Sequence, residues 1–173
     1  MNIIAVPYNS KGFYLRPDTT LNRNWGDFYV PDFVTSLSAI PFAYVKICKA
    51  GKAILQKFAE RYYGTVEYGI AVRAVSINEK EPVTFSVANS FDYSTYLSED
   101  RETSSDLPEF SKNGIPVCRL AQPPKEDIEQ AIEKITSIIS IRYGDILLFE
   151  LHEGVPVIPG DKIGLDNSGF SIK

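Results

Sequence analysis

The sequence predicts an α+β domain that is mostly β, with two main helices at about 51–63 and 125–140. Three observations carry this reading. Two segments place apolar residues at helical spacing. Short β-branched and aromatic runs surround them, punctuated by Gly, Pro and Asp. Helices and strands do not alternate, which argues against a doubly wound parallel sheet. The chain has 173 residues, and a single domain over 1–173 is expected. A domain of that size buries roughly 68–70% of its unfolded surface.

Each element has a local reason. Ile3 to Pro7 is a short apolar run and reads as a strand. Phe28-Tyr29-Val30 lies between turn residues and reads as another, as does Ala43 to Cys48. In Lys52 to Tyr63, Ile54, Leu55, Phe58 and Tyr62 recur at helical spacing, bracketed by Gly51 and Gly64. Val66 to Ile77 is rich in β-branched residues, and Gly69 inside it suggests a bulge or a close backbone approach. Residues 98–114 are polar, charged and aperiodic, which predicts a solvated, flexible loop. Ile115 to Leu120 reads as a strand. Pro123-Pro124 then lead into a helix over Lys125 to Ser140, with Glu126 and Asp127 in its first turn, where the helix dipole favours acids. Ile128, Ile132, Ile135 and Ile139 form its apolar stripe. The last third reads as short strands between tight turns.

Composition narrows the function classes. Eighteen basic residues against 22 acidic ones leave a net charge of −4, so the chain has no overall electrostatic footprint for nucleic acid. It contains no run of 18 apolar residues, which excludes a membrane-spanning helix. The N-terminus lacks a signal-peptide pattern. Cys48 and Cys118 are too few for a disulfide scaffold and suit a reducing cytoplasm. With one histidine, His152, only one Ser-His or Cys-His arrangement is possible, and HExxH zinc chemistry is excluded.

Several stretches, taken in order, resemble the fumarylacetoacetate hydrolase family. They are IIAVPYN at Ile3–Asn9, LRPDTTL at Leu15–Leu21 and FYVPDF at Phe28–Phe33. KAGKAILQKFAERYYGTVEYGI follows at Lys49–Ile70, then the SFDYS run ending at Ser94, YGDILLF at Tyr143–Phe149 and PGD at Pro159–Asp161. The resemblance covers most of the chain and is nearest to the short, single-domain members. It implies a mixed β-roll or sandwich and a pocket for a β-dicarbonyl or acylpyruvate-type acid. It also implies C–C hydrolysis, decarboxylation or isomerisation supported by Mg²⁺ or Mn²⁺. In such proteins an E-x-E pair and an Asp hold the metal, a His-x-x-E dyad on a lid activates water, and a lysine and a T-G-T-P turn bind developing negative charge.

Set against that pattern, the chain departs at every chemical position. The E-x-E pair falls at Ile40 and Phe42, and no Asp or Glu occurs between Asp32 and Glu60. The third carboxylate falls at Ala71, with no acid between Glu67 and Glu79. Mg²⁺ requires oxygen ligands, which these side chains lack. The family lysine is replaced by Asn89, and its Arg and Gln fall at Val75 and Asn78. Glu150-Leu151-His152-Glu153 stands in place of the T-G-T-P turn. The lid is shortened to about residues 9–15 and holds no histidine. Losing groups that act as a unit removes on the order of 10⁶-fold in rate.

The sequence therefore points to a catalytically inactive member, a pseudoenzyme with no cofactor. Its role is structural, partner-binding or small-acid-binding, and it is expected to form a homodimer. Remnant pocket candidates are Arg16, Asp18, Asp92 and His152. Each has a plainer reading beside the functional one. Arg16 either holds a carboxylate bidentately or is structural. Asp92 is a pocket acid or a turn residue. His152, which would share a strand face with Glu150, is an acid–base group or a surface residue. Tyr44, Tyr62, Tyr63 and Tyr68 are core or dimer-interface aromatics. The alternative is an active hydrolase, decarboxylase or isomerase with a relocated site using Asp18, Asp32, Asp92 or Glu150, with Mg²⁺ or Mn²⁺ in that case.

Overall fold

A computed structural model of the chain describes residues 1–77, 84–98 and 107–173. In chain order the strands are β1 (Ile3–Val6), β2 (Tyr14–Arg16), β3 (Leu21–Asn22), β4 (Val34–Ile47), β5 (Tyr63–Ile77), β6 (Thr95–Leu97), β7 (Glu109–Lys112), β8 (Ile115–Arg119), β9 (Ile146–Glu150), β10 (Val155–Val157), β11 (Lys162–Leu165) and β12 (Ser168–Ser171). The α-helices are the single turn α1 (Phe85–Ala88) and the long α2 (Lys125–Ile138). The long antiparallel pair β4–β5 organises an eight-stranded sheet in the order β2-β1-β9-β4-β5-β6-β3, with β10 also paired to β4. β1 pairs parallel to β9 and β3 parallel to β6, so the sheet is mixed. A second sheet runs β12-β11-β7-β8. The fold is α+β and mostly β, as the sequence predicts.

Alternation along β4 divides three apolar layers. Leu37, Ala39 and Ala43 face the small sheet and pack with Phe110, Ile163 and Phe170. Val45 and Ile47 face α2, which buries Ile128, Ile132 and Ile135 against them. Each such isoleucine contributes roughly 1.5–3 kcal/mol of burial. Phe42 and Tyr44 face inward, with Ile3, Ala5, Leu97 and Leu148. Pro41 sits in this long strand where its edge partner changes, β10 pairing up to Ala39 and β9 starting at Phe42. Its missing N–H falls in that gap. The close approach expected at Gly69 is present: a Cβ there would strike the Tyr96 carbonyl oxygen and the Phe42 ring.

The structure corrects three local expectations. The first predicted helix is a short 3-10 segment, Gln56–Tyr62; of its stripe only Ile54 is buried, Tyr62 is half-buried, and Leu55 and Phe58 stay exposed. Phe28-Tyr29-Val30 makes a single bridge, Phe28 to Ile172, rather than a strand. The loop expected over 98–114 contains β7, anchored by the buried Phe110; residues 99–106 lie outside the described residues. No helix among the described residues is long and apolar enough to cross a membrane.

The buried Asp161 staples the small sheet. It accepts hydrogen bonds from the Ile158 N–H at 2.9 Å and from Asn113 Nδ2 at 2.8 Å, and pairs with Lys112 Nζ at 2.9 Å. Burial alone would raise its pKa, but the bonds from Lys112, Asn113 and Ile158 outweigh it and hold the carboxyl below its ordinary range. A depressed carboxyl stabilises the fold above its unfolded pKa, about 3.9. That contribution is lost as pH falls through the lower folded value. Thermal unfolding between pH 7 and pH 2 should show the melting temperature dropping below about pH 4. Asp161→Asn should melt lower at pH 7 and show a shallower acid limb.

Candidate functional site

The inner face of β4–β5 brings together the positions where the resemblance expects a metal. Ile40 lies directly opposite Ala71 in register, and Phe42 lies opposite Gly69. Ile40 and Phe42 are fully buried and Ala71 nearly so. Phe42 and Ala71 pack with Tyr44, Leu97 and Leu148. This surface offers no oxygen donor from Ile40, Phe42 or Ala71, so these residues do not fit a Mg²⁺ or Mn²⁺ ion. Among the described residues, no group of three His, Cys, Asp or Glu side chains is placed to hold a metal.

Two residues beyond Ala71 on the same face is Arg73, opposite Ser38. It is the centre of a polar cluster built by β2, β5, β6, β9 and the end of α1. Arg73 Nη2 forms an ion pair with Glu150 Oε1 and lies 3.2 Å from the Tyr14 hydroxyl. That hydroxyl donates to Glu150 Oε1 at 2.7 Å, and the Tyr8 N–H donates to Oε2 at 3.2 Å. Asn89 Oδ1 accepts from Arg73 Nε and from Arg16 Nη1, each at 2.9 Å. Its Nδ2 donates to the Phe85 carbonyl at 2.8 Å. A lysine at position 89 would set a third cation between two guanidiniums; an amide oxygen accepts from both.

Arg16 is buried and its donors end on neutral oxygens. Nε reaches Thr95 Oγ1 at 3.1 Å, and Nη2 reaches Ser94 Oγ at 2.9 Å and the Ser94 and Val72 carbonyls. Burial pushes the Arg16 pKa down from its ordinary value. Burial likewise raises that of the Tyr14 phenol. The cluster holds two cations against one carboxylate, and its hydrogen bonds close on themselves. Among the described residues no buried side-chain nitrogen or oxygen lacks a partner. Such a network rigidifies a fold.

The remaining candidates lie elsewhere. Asp18 is exposed in the 3-10 turn Asp18–Thr20, 4.0 Å from the N-terminal ammonium. Asp92 sits in an exposed turn. His152 lies past the end of β9, so it does not share a strand face with Glu150. Its Nδ1 accepts from the Gly154 N–H at 3.0 Å, and its ring stacks on Tyr8. Tyr44 and Tyr68 belong to the core, with Tyr62 and Tyr63 packed against the α2 layer. In the 9–15 segment, Asn9 takes a left-handed conformation (φ 53°), and Tyr14 and Leu15 already belong to β2. This segment borders a cleft of about 760 Å³ lined by Phe13, Ala131, Ile135, Phe149 and Glu150, among others.

Sequence reasoning missed Arg73 and Tyr14. The expected family arginine fell at Val75, which is exposed, and at Asn78, outside the described residues, for the glutamine. The available signal was alternation. Counting inward positions from Ala71 reaches Arg73, a charge inside an otherwise apolar run.

No family model matches the sequence, and no curated protein matches it either. Solved structures do match. The 2-hydroxyhepta-2,4-diene-1,7-dioate isomerase from Mycobacterium marinum superposes with TM-score 0.78 at 15% identity, over 99% of this chain and 73% of that one. A fumarylacetoacetate hydrolase family protein from Yersinia pestis CO92 gives 0.70 at 19% identity, over 99% and 92%. The fumarylpyruvate hydrolase from Pseudomonas aeruginosa, solved with Mn²⁺ and pyruvate, gives 0.77 at 12% identity, over 99% and 89%. At such identities the shared property is the fold. The chain has the fumarylacetoacetate hydrolase fold.

Proposed function

We propose that this protein is a fumarylacetoacetate-hydrolase-fold pseudoenzyme. It keeps the frame of the metal-dependent hydrolases and isomerases without their chemistry, and acts by binding. The observation that carries the reading is the inner face of β4–β5. Ile40, Phe42 and Ala71 make a buried apolar surface there, and the charge beside it, Arg73, is a resident cation already paired with Glu150. Clustered carboxylates without a metal repel one another and resist desolvation, so apolar replacements favour the fold.

The binding surface we assign is the cleft between segment 7–13 and α2; Lys11 and Lys134 line it, the Lys134 ammonium donating to the Lys11 carbonyl. Its volume lies within the 300–1,000 Å³ typical of small-molecule sites. A small carboxylate or a segment of a partner protein is the proposed occupant, and the protein itself is proposed to be a homodimer.

Purified protein should not turn over acylpyruvates or oxaloacetate with added Mg²⁺ or Mn²⁺. Calorimetry should show no heat of divalent binding, and thermal melts no metal-dependent shift. Metal-dependent turnover would overturn the reading in favour of a relocated active site. Oxaloacetate binding without turnover, lost on Lys134→Ala, would place a small acid in the cleft. Sedimentation velocity reads the dimer.

A further inference from the structure

On another face of the molecule, exposed aromatic side chains gather where two turns meet. A cavity of about 410 Å³ there is lined by Tyr29, Pro31, Phe91, Asp92 and Tyr93, among others. Tyr29 is 74% exposed and Tyr93 64%. Exposed aromatics scattered singly need no explanation, but three aromatics that line one depression do. Phe33 backs this wall, its ring 6.2 Å from that of Phe91.

The walls are held by backbone bonds. The Phe28 N–H donates to the Ser171 carbonyl at 2.9 Å and the Val30 N–H to the Lys173 carbonyl at 2.9 Å. Tyr93, which also lines the cavity, takes φ 58°, a left-handed conformation uncommon for a bulky residue. Its N–H donates to the Thr19 carbonyl at 3.1 Å, and the next residue, Ser94, is fully buried and bound by Arg16. Strain of this kind persists only where its surroundings enforce it, and it concentrates at binding sites. The Tyr93 ring is exposed, while its neighbour in the chain is a buried anchor.

The charge beside the rings is negative. Asp92 lines the cavity and forms no ion pair with another described residue. The exposed Asp32 follows Pro31. The nearby Lys173 ammonium is engaged by Asp27 at 3.6 Å. Aromatic faces carry a negative quadrupole and attract cations within about 6 Å of the ring centroid. We propose that this cavity binds a small organic cation of the quaternary ammonium type, held between the Tyr29, Phe91 and Tyr93 rings and countered by Asp92. This site is separate from the inner face and does not depend on whether the protein is a pseudoenzyme.

The test compares tetramethylammonium and choline with 3,3-dimethylbutan-1-ol, which has the shape of choline without its charge. Tyrosine ring-proton shifts of the full-length protein are followed by NMR. Saturable shifts with both cations are expected, with the neutral alcohol binding about tenfold more weakly. Tyr93→Leu and Tyr29→Leu should each weaken choline about fivefold, the size an exposed cation–π contact confers. Asp92→Asn should weaken it several-fold, and all three variants should melt like the parent because their side chains are exposed. Equal binding of the alcohol, no saturable shift with either cation, or unchanged affinity in all three variants would overturn the proposal. So would self-association that buries Tyr29 and Tyr93.

Discussion

Glu150→Ala should lower the unfolding free energy by about 3–5 kcal/mol, the cost of removing one partner from a buried ion pair. The Glu150 side chain is only 3% exposed and Arg73 17%, so water cannot easily solvate what is left behind. Without the carboxylate, two guanidiniums share one pocket, and the Tyr14 hydroxyl and Tyr8 N–H lose their acceptor. Arg73→Met should cost less. Glu150 would keep its bonds from Tyr14 and Tyr8, and Asn89 would keep Arg16. The double variant should recover part of the Glu150→Ala loss, with a coupling of about 0.5–3 kcal/mol. Urea denaturation of the four proteins reads this directly. A Glu150→Ala midpoint within error of the parent would mean that the pair anchors nothing. A stabilised Arg73→Met would point instead to a charge retained for binding.

Much of the frame was legible from local chemistry. The apolar stripe of α2 needed only its isoleucine spacing, and α2 runs from Lys125 as expected, stopping at Ile138. Gly69 announced a tight approach, which the Phe42 ring and the Tyr96 carbonyl supply. The 3-10 segment Gln56–Tyr62 was misread because a helical repeat of apolar residues does not say which of them will be buried. The strand β7 was invisible for the opposite reason: Glu, Ser and Lys surround one buried Phe110, and tertiary pairing with β11 overrides their polarity. At the inner face, cross-strand register was the missing quantity. Ile40 and Ala71 could be named from motif order, but their being opposite each other could not. Nor could a sequence show that Arg16, Tyr14 and Glu150, far apart in the chain, converge on Arg73. Buried polar networks are assembled from long-range contacts, so one-dimensional periodicity carries almost no trace of them.

Phe42→Glu should unfold the protein rather than restore a metal site. The substitution removes a fully buried ring, whose truncation to alanine alone would cost about 3–5 kcal/mol. It also places a carboxylate among Tyr44, Leu97 and Leu148, where an unpaired charge costs several kcal/mol more. The sum is comparable to the whole stability of an ordinary domain, about 5–15 kcal/mol. Ile40→Glu should behave similarly, since Ile40 is fully buried and faces Ala71. Circular dichroism melts with and without Mn²⁺ decide the matter. An ion that bound the folded variant would raise its melting temperature by mass action. A folded Phe42→Glu protein stabilised by Mn²⁺ would mean that the inner face still has the shape of a coordination site. Loss of the cooperative transition, unrelieved by metal, would mean that packing has replaced that shape. A single carboxylate would then be insufficient for a return to metal binding: the ring at 42, the side chain at 40 and the Arg73–Glu150 pair would all have to change together. Each intermediate would carry an unpaired charge or a cavity in the layer that holds β1, β4, β5 and β9 together.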